Sequence, residues 1–248
     1  MKRLALLVLI LALPAFAEEY DRLLLSVAPG IVHCGYHSKF DTRLVVYNGN
    51  GKAVDRVCTD EMCGGLAANT GTVVGGQDVP IPTPAFIYVP RSVAQGISMS
   101  LVVESSETSR PEERSYTELP VVRESDFREG TVQIVGVRLD DGFRKTLRIY
   151  GLNGLEYGRV RVRVYDIASS TPAWEHEYIL WPQGTTNADG LPTAPSFNME
   201  CDLSGYVAPK YARPVRVELE PLTEGTRIWG FVSVTNNVTQ NFYTVTPR

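Results

Sequence analysis

Histidine is nearly absent from this chain, with 3 among 248 residues, and cysteine is scarce at 4. So few ligands and proton carriers leave little room for a metal or acid–base centre. No H-E-x-x-H motif, G-x-S-x-G elbow or glycine-rich phosphate loop occurs. Basic clusters are missing too: 24 lysines and arginines face 28 acidic residues, and the arginines are spread thinly. That balance argues against a nucleic-acid or anionic-membrane partner. No window repeats apolar residues at the helical period, and no long apolar run follows the N-terminus.

What is present at the N-terminus is "MKRLALLVLILALPAFA", a basic start (Lys2, Arg3), an apolar run and an Ala15-Phe16-Ala17 end. This pattern predicts a signal peptide over residues 1–17, with cleavage leaving Glu18 first. The apolar run is short for a membrane span, and no cysteine stands at the cleavage point to carry a lipid. The expectation is an exported protein, periplasmic or extracellular, with no integral membrane segment after cleavage. Losing two of the 24 basic residues and none of the 28 acidic ones takes the net charge from −4 to −6.

Strand periodicity dominates the rest. "GRVRVRVYD" sets Val160, Val162 and Val164 against Arg159, Arg161 and Arg163, and "PVRVELEPL" sets Val215, Val217 and Leu219 against Arg216, Glu218 and Glu220. A period of two with one charged face predicts antiparallel strands wetted on one side. Similar runs are "RLVVYN", "AFIYVP", "SMSLVVES", "RSYTELPVV", "TVQIVGVRL", "TLRIYGLN", "EHEYILWP", "RIWGFVSVT" and "NFYTVTP", separated by Gly, Pro, Asn and Asp. Many short strands with such punctuation predict an all-β sandwich architecture.

The pattern also recurs. Phe40, Tyr47, Asn50, Gly51, Arg56 and Val57 return 103 positions later as Phe143, Tyr150, Asn153, Gly154, Arg159 and Val160. Each copy reads as a strand, an Asn-Gly turn and a second strand. "SLVVESSETSRPEERSYTELP" and "GFVSVTNNVTQNFYTVTP" close the two halves alike, each ending in a tyrosine (Tyr116, Tyr243) and proline. The repeat predicts two tandem antiparallel β-sandwich domains, 18–124 and 125–248, joined near "RESDFREG".

These residues carry a resemblance. "GYHSKFDTRLVVYN" is similar to the G-x-x-G-S-x-W/F-x-T-D-L-x-L-x-N opening of tandem β-sandwich segments in exported bacterial proteins of acidobacterial and myxobacterial type. "VQIVGVRLDDGFRKTLRIYGLNG" resembles the second-domain opening there, and "TRIWGFVSVTNNVTQNFYTVTP" its close. Phe40 stands where tryptophan is usual, Lys145-Thr146 inverts a Thr-Asn pair, and Asn236-Asn237 replaces Asp-Asn. The resemblance covers most of the mature chain in turn and core residues. It implies an immunoglobulin-like tandem outside the cytoplasm, with no assigned catalytic residues.

Cys34, His37, Cys58 and Cys63 are four side chains that zinc accepts. C-x4-C is not the C-x2-C knuckle, however, and an exported chain meets an oxidising compartment. A Cys58–Cys63 disulfide across "TDEM" is expected instead, contributing roughly 2 kcal/mol because the loop is short. Cys34 and Cys201 remain as a second pair or as two free buried thiols. No metal and no cofactor is predicted.

His176, between Glu175 and Glu177, suggests acid–base chemistry, but alternation puts it on the face of Trp174, Tyr178 and Leu180, as a core or groove histidine. "NADGLP" offers Asn187 and Asp189 to calcium without the remaining ligands of a calcium loop, so a turn is expected. Asn237 heads an N-x-T acceptor, which carries little in a bacterial export context. No catalytic residue emerges. The functional expectation is a non-catalytic exported sandwich with a structural, adhesion or ligand-binding role, its partner an unidentified envelope protein or glycan. Candidate surfaces are the loop with Asp60 and Glu61, and the long loop bounded by Trp181 and Phe197 that holds Asn187 and Asp189. The alternative is a two-domain periplasmic chaperone of the pilus type, acting by strand addition and a basic carboxylate clamp.

Overall fold

The computed structural model describes residues 20–27, 29–34, 37–58, 63–77, 83–153, 156–187, 190–200, 203 and 214–247, with the side chains of His33, Cys34, Arg56, Cys58 and Cys63 outside the description. The described residues form strands and no α-helix. In the N-terminal half these are β1 (Tyr20–Leu25), β2 (Gly30–Cys34), β3 (Ser38–Asn48), β4 (Val54–Cys58), β5 (Cys63–Leu66), β6 (Thr70–Gly75), β7 (Ala85–Pro90), β8 (Ile97–Glu107), β9 (Arg110–Leu119) and β10 (Val121–Arg123). The C-terminal half has β11 (Val132–Val137), β12 (Phe143–Gly151), β13 (Gly158–Asp166), β14 (Trp174–Pro182), β15 (Ser196–Glu200), β16 (Val215–Pro221), β17 (Ile228–Asn236) and β18 (Phe242–Val245).

Every ladder is antiparallel. One N-terminal sheet runs β10-β1-β7-β4-β5; the other runs β2-β3-β8-β9, with β6 also on β3. The C-terminal half is one eight-stranded sheet, β11-β16-β13-β14-β15-β12-β17-β18. It bends at β14, which pairs with β13 along Trp174–Leu180 and reaches β15 only at Trp181 and Pro182. Its two limbs therefore face each other across a core of Ile134, Leu147, Ile149, Val160, Val162, Val217 and Val232, and the sheet nearly closes on itself where β11 meets β17 and β18.

The two halves repeat one pairing scheme. The order β1-β7-β4-β5 becomes β11-β16-β13-β14, and β6-β3-β8-β9 becomes β15-β12-β17-β18. The offset of 103 holds for the inward column: Thr42, Leu44 and Val46 are buried in β3, and Lys145, Leu147 and Ile149 in β12. Two differences matter below. β14 joins β15, whereas β5 and β6 share no ladder among the described residues. The strand order also differs from the ABED and CFG sheets of an immunoglobulin constant domain; the shared feature is two antiparallel sheets around one core.

Aromatic residues on the outward side of β12 and β17 join the halves. Tyr150, Trp229 and Phe231 sit in the N-terminal core cluster with Leu24, Phe86 and Tyr88, and the Tyr150 hydroxyl donates to the Ser26 carbonyl at 2.8 Å. Arg22 and Arg227 both bind Glu124, from opposite halves. Further along, Phe40 meets Phe242 edge-on at 5.9 Å, and Thr117 donates to the Phe242 carbonyl at 2.7 Å.

Candidate functional site

The outer face of β11-β16-β13-β14 carries the alternation read from "GRVRVRVYD". Register sets Arg161 opposite Glu177 and Glu220, and Arg163 opposite Glu175 and Glu218. The guanidinium groups close on these carboxylates: Arg161 on Glu177 at 2.9 Å and Glu220 at 3.3 Å, Arg163 on Glu175 at 2.5 Å and Glu220 at 2.8 Å. Arg159 binds Glu177 as well. Hydrogen bonds from Arg161 and Arg159 hold the Glu177 carboxyl below its usual range. Carboxylates fixed as anions by two arginines are poor proton carriers at neutral pH.

At one end of β14 this charged face turns apolar. After Glu175 and Glu177, the same side of the strand presents Ile179 and Trp181, 45% and 50% exposed. Tyr157, 61% exposed before β13, packs edge-on against Trp181 with ring centroids 5.4 Å apart. Polar groups lie beside the pair: Gln183 donates to the Trp181 carbonyl at 3.2 Å, and Arg159 is directly across the ladder from Ile179. The corner is thus an aromatic edge flanked by polar groups, with Trp181 in β14 and Tyr157 just before β13. Ile179 and Tyr157 escaped the sequence reading, although the period of two that placed Glu175 and Glu177 continues to Ile179 and Trp181.

The rest of the long loop does other work. Phe197, directly across the ladder from Trp181, stacks on Tyr150 at 5.3 Å and so belongs to the junction between halves. Asn187 builds a turn, its side chain accepting from the Leu191 amide at 3.0 Å; Asp189 lies outside the described residues. Beyond it the Pro192 carbonyl accepts the Tyr88 hydroxyl at 2.6 Å and the Thr193 carbonyl accepts the Phe86 amide at 2.8 Å. The Pro192–Thr193 part of this segment clasps β7, and Trp181 is its large apolar residue left open to solvent.

His176 shares a face with Trp174 and Tyr178 as expected, yet it is exposed and not a core residue. It stacks on Trp174 at 5.9 Å and meets Tyr178 at 4.8 Å. The β14–β15 ladder starts only at Trp181, so among the described residues no strand from that side covers it. Tyr178 donates to Glu200 at 2.9 Å.

At the N-terminal candidate, Cys58 and Cys63 are direct Cα partners in the β4–β5 ladder. Asp60, Glu61 and Cys201 lie outside the described residues, as do the side chains of Cys34, Cys58 and Cys63. His37 is exposed in a left-handed conformation, φ 53°, its carbonyl accepting from the Thr108 amide. Among the described residues no three of His, Cys, Asp and Glu are placed to hold a metal ion. A half-open cleft of about 570 Å³ lies at the junction, lined by Asp126, Arg128, Glu129, Gln133, Trp229 and Pro247. No protein-family model, curated protein or solved structure matches the chain.

Proposed function

We propose that this is a non-catalytic exported protein of two tandem immunoglobulin-like modules, 18–124 and 125–248, following a cleaved leader over 1–17, and that it binds a glycan of the cell envelope. The single observation behind this reading is the Trp181–Tyr157 corner. An indole half open to water leaves apolar area uncovered at a cost of about 25 cal/mol per Å², which a partner recovers. A pyranose ring has a flat C–H face and a rim of hydroxyls. It matches an aromatic ring bordered by Gln183 and the Arg159–Glu177 pair. The chaperone alternative wants free basic side chains to clamp a carboxylate, and Arg159, Arg161 and Arg163 are engaged by glutamates.

The test is binding of purified envelope polysaccharides and their oligosaccharides, followed by calorimetry and tryptophan fluorescence. Saturable binding that shifts the emission, and that falls at least about tenfold in Trp181→Ala and Tyr157→Ala, is expected. Binding that both variants retain in full, or no binding to any envelope polysaccharide, would remove this reading.

A further inference from the structure

Among the described residues, the N-terminal half leaves one strand edge open that its C-terminal counterpart closes. β6 pairs with β3 from Arg43↔Gly75 to Asn48↔Thr70, and among the described residues with nothing else. Gly71 and Gly75 are both exposed. A glycine has only backbone to expose, so main chain of β6 meets water at both positions. In the C-terminal half the same edge, that of β15, is taken by a strand: β14 pairs there through Trp181↔Phe197 and Pro182↔Ser196. In the repeated scheme, then, this position accepts a strand.

β6 carries neither of the two commonest side-chain devices that keep such edges from pairing, charge and proline. From Asn69 to Gln77 the chain reads NTGTVVGGQ, with no charge and no proline. The opposite edge of the same sheet, β9, reads RPEERSYTEL and carries both. Beside β6 the outer face of β3 adds Val45 and Tyr47, 37% and 45% exposed, next to Val73 at 61%.

We infer that the β6 edge joins two copies of this chain, the two strands running antiparallel about a two-fold axis so that one sheet continues through both molecules. Charge selects this occupant. The chain is acidic overall, so copies repel wherever acidic surfaces meet, but at β6 a neutral edge meets an identical neutral edge. The isologous arrangement also places Val73 of each copy beside that of the other, covering apolar surface that each exposes alone.

Sedimentation velocity and light scattering over about 1 to 100 µM test this, because a dimer follows mass action. The expected result is a doubling of mass with concentration, with slowed amide exchange at Thr70–Gly75 in the dimer. The double variant Thr72→Lys, Val73→Lys changes two exposed positions and should stay monomeric with unaltered circular dichroism and melting. A wild-type protein that remains monomeric throughout, or a dimer that survives in the variant, would overturn the inference. A wild-type monomer whose β6 amides slow only with a peptide from another protein would overturn it too, assigning the edge to a foreign strand. None of these outcomes depends on Trp181, so the glycan reading stands or falls separately.

Discussion

Tyr47 and Tyr150 stand at the same position of the repeated strand, 103 residues apart, both on its outward side. Tyr47 is 45% exposed, while Tyr150 is fully buried, boxed by Phe197, Trp229 and Phe231 with centroids at 5.3, 5.8 and 6.3 Å. Burial pushes the Tyr150 phenol well above its ordinary range, so it remains a donor to Ser26 at any accessible pH. Tyr150→Phe takes this donor from a buried carbonyl and is expected to cost about 1–2 kcal/mol, or about 3–6 °C in melting temperature. Tyr47→Phe should stay within about 0.5 kcal/mol. Equal losses in the two variants would contradict the assignment of Tyr150 to the junction.

Among the elements, the strands with one wet face were the most legible, and the β-branched, fully buried β7 was read as well. β13 and β16 alternate valine or leucine with arginine or glutamate, and both lie where that alternation puts them. β1 was not legible, because its Leu23, Leu24 and Leu25 are all buried without a period of two and, unlike the equally buried β7 with its Ile87 and Val89, the run holds no β-branched residue. β6 was missed for the opposite reason: TGTVVG is glycine-rich and hardly buried, and it is a strand only because β3 supplies the ladder. β4 and β5 give a third case. C-x4-C pointed to a local bridge, and the ladder sets Cys58 directly across from Cys63, a separation within disulfide reach. Intact-mass measurement of the denatured protein should find that reductant adds two hydrogens for this bridge, and Cys58→Ser should cost roughly 2 kcal/mol. Alkylation of both thiols without reductant would refute it.

For the whole molecule, the coupling of its halves carries a pH dependence. Glu124, after β10, binds Arg22 of β1 at 3.0 Å and Arg227 ahead of β17. Burial alone pushes its carboxyl up, but the two guanidinium groups outweigh this and hold it below the usual range. A carboxyl depressed in the folded state stabilises the fold above its unfolded pKa of about 4.3, and that contribution is lost as pH falls through the folded value. Glu124 is partly exposed, so solvent screening keeps the effect modest. Melting between about pH 7 and pH 3 should therefore drop further in wild type than in Glu124→Gln. An equal drop in both would show that this triad does not couple the halves.

Local alternation of side chains was enough to determine the all-β class, the antiparallel strands and the repeated scheme, since a strand's period of two is written in neighbouring residues. The strands so read also hold Tyr150, Trp229 and Phe231, whose outward position the structure supplies. What covers an apolar face is a long-range matter. Only the tertiary structure decided that the N-terminal half buries these rings, that Phe197 joins them while Trp181 stays open, and that β14 closes the edge of β15 while β6 pairs with β3 alone among the described residues. These outcomes depend on which distant strands meet, and no residue's immediate neighbours encode that.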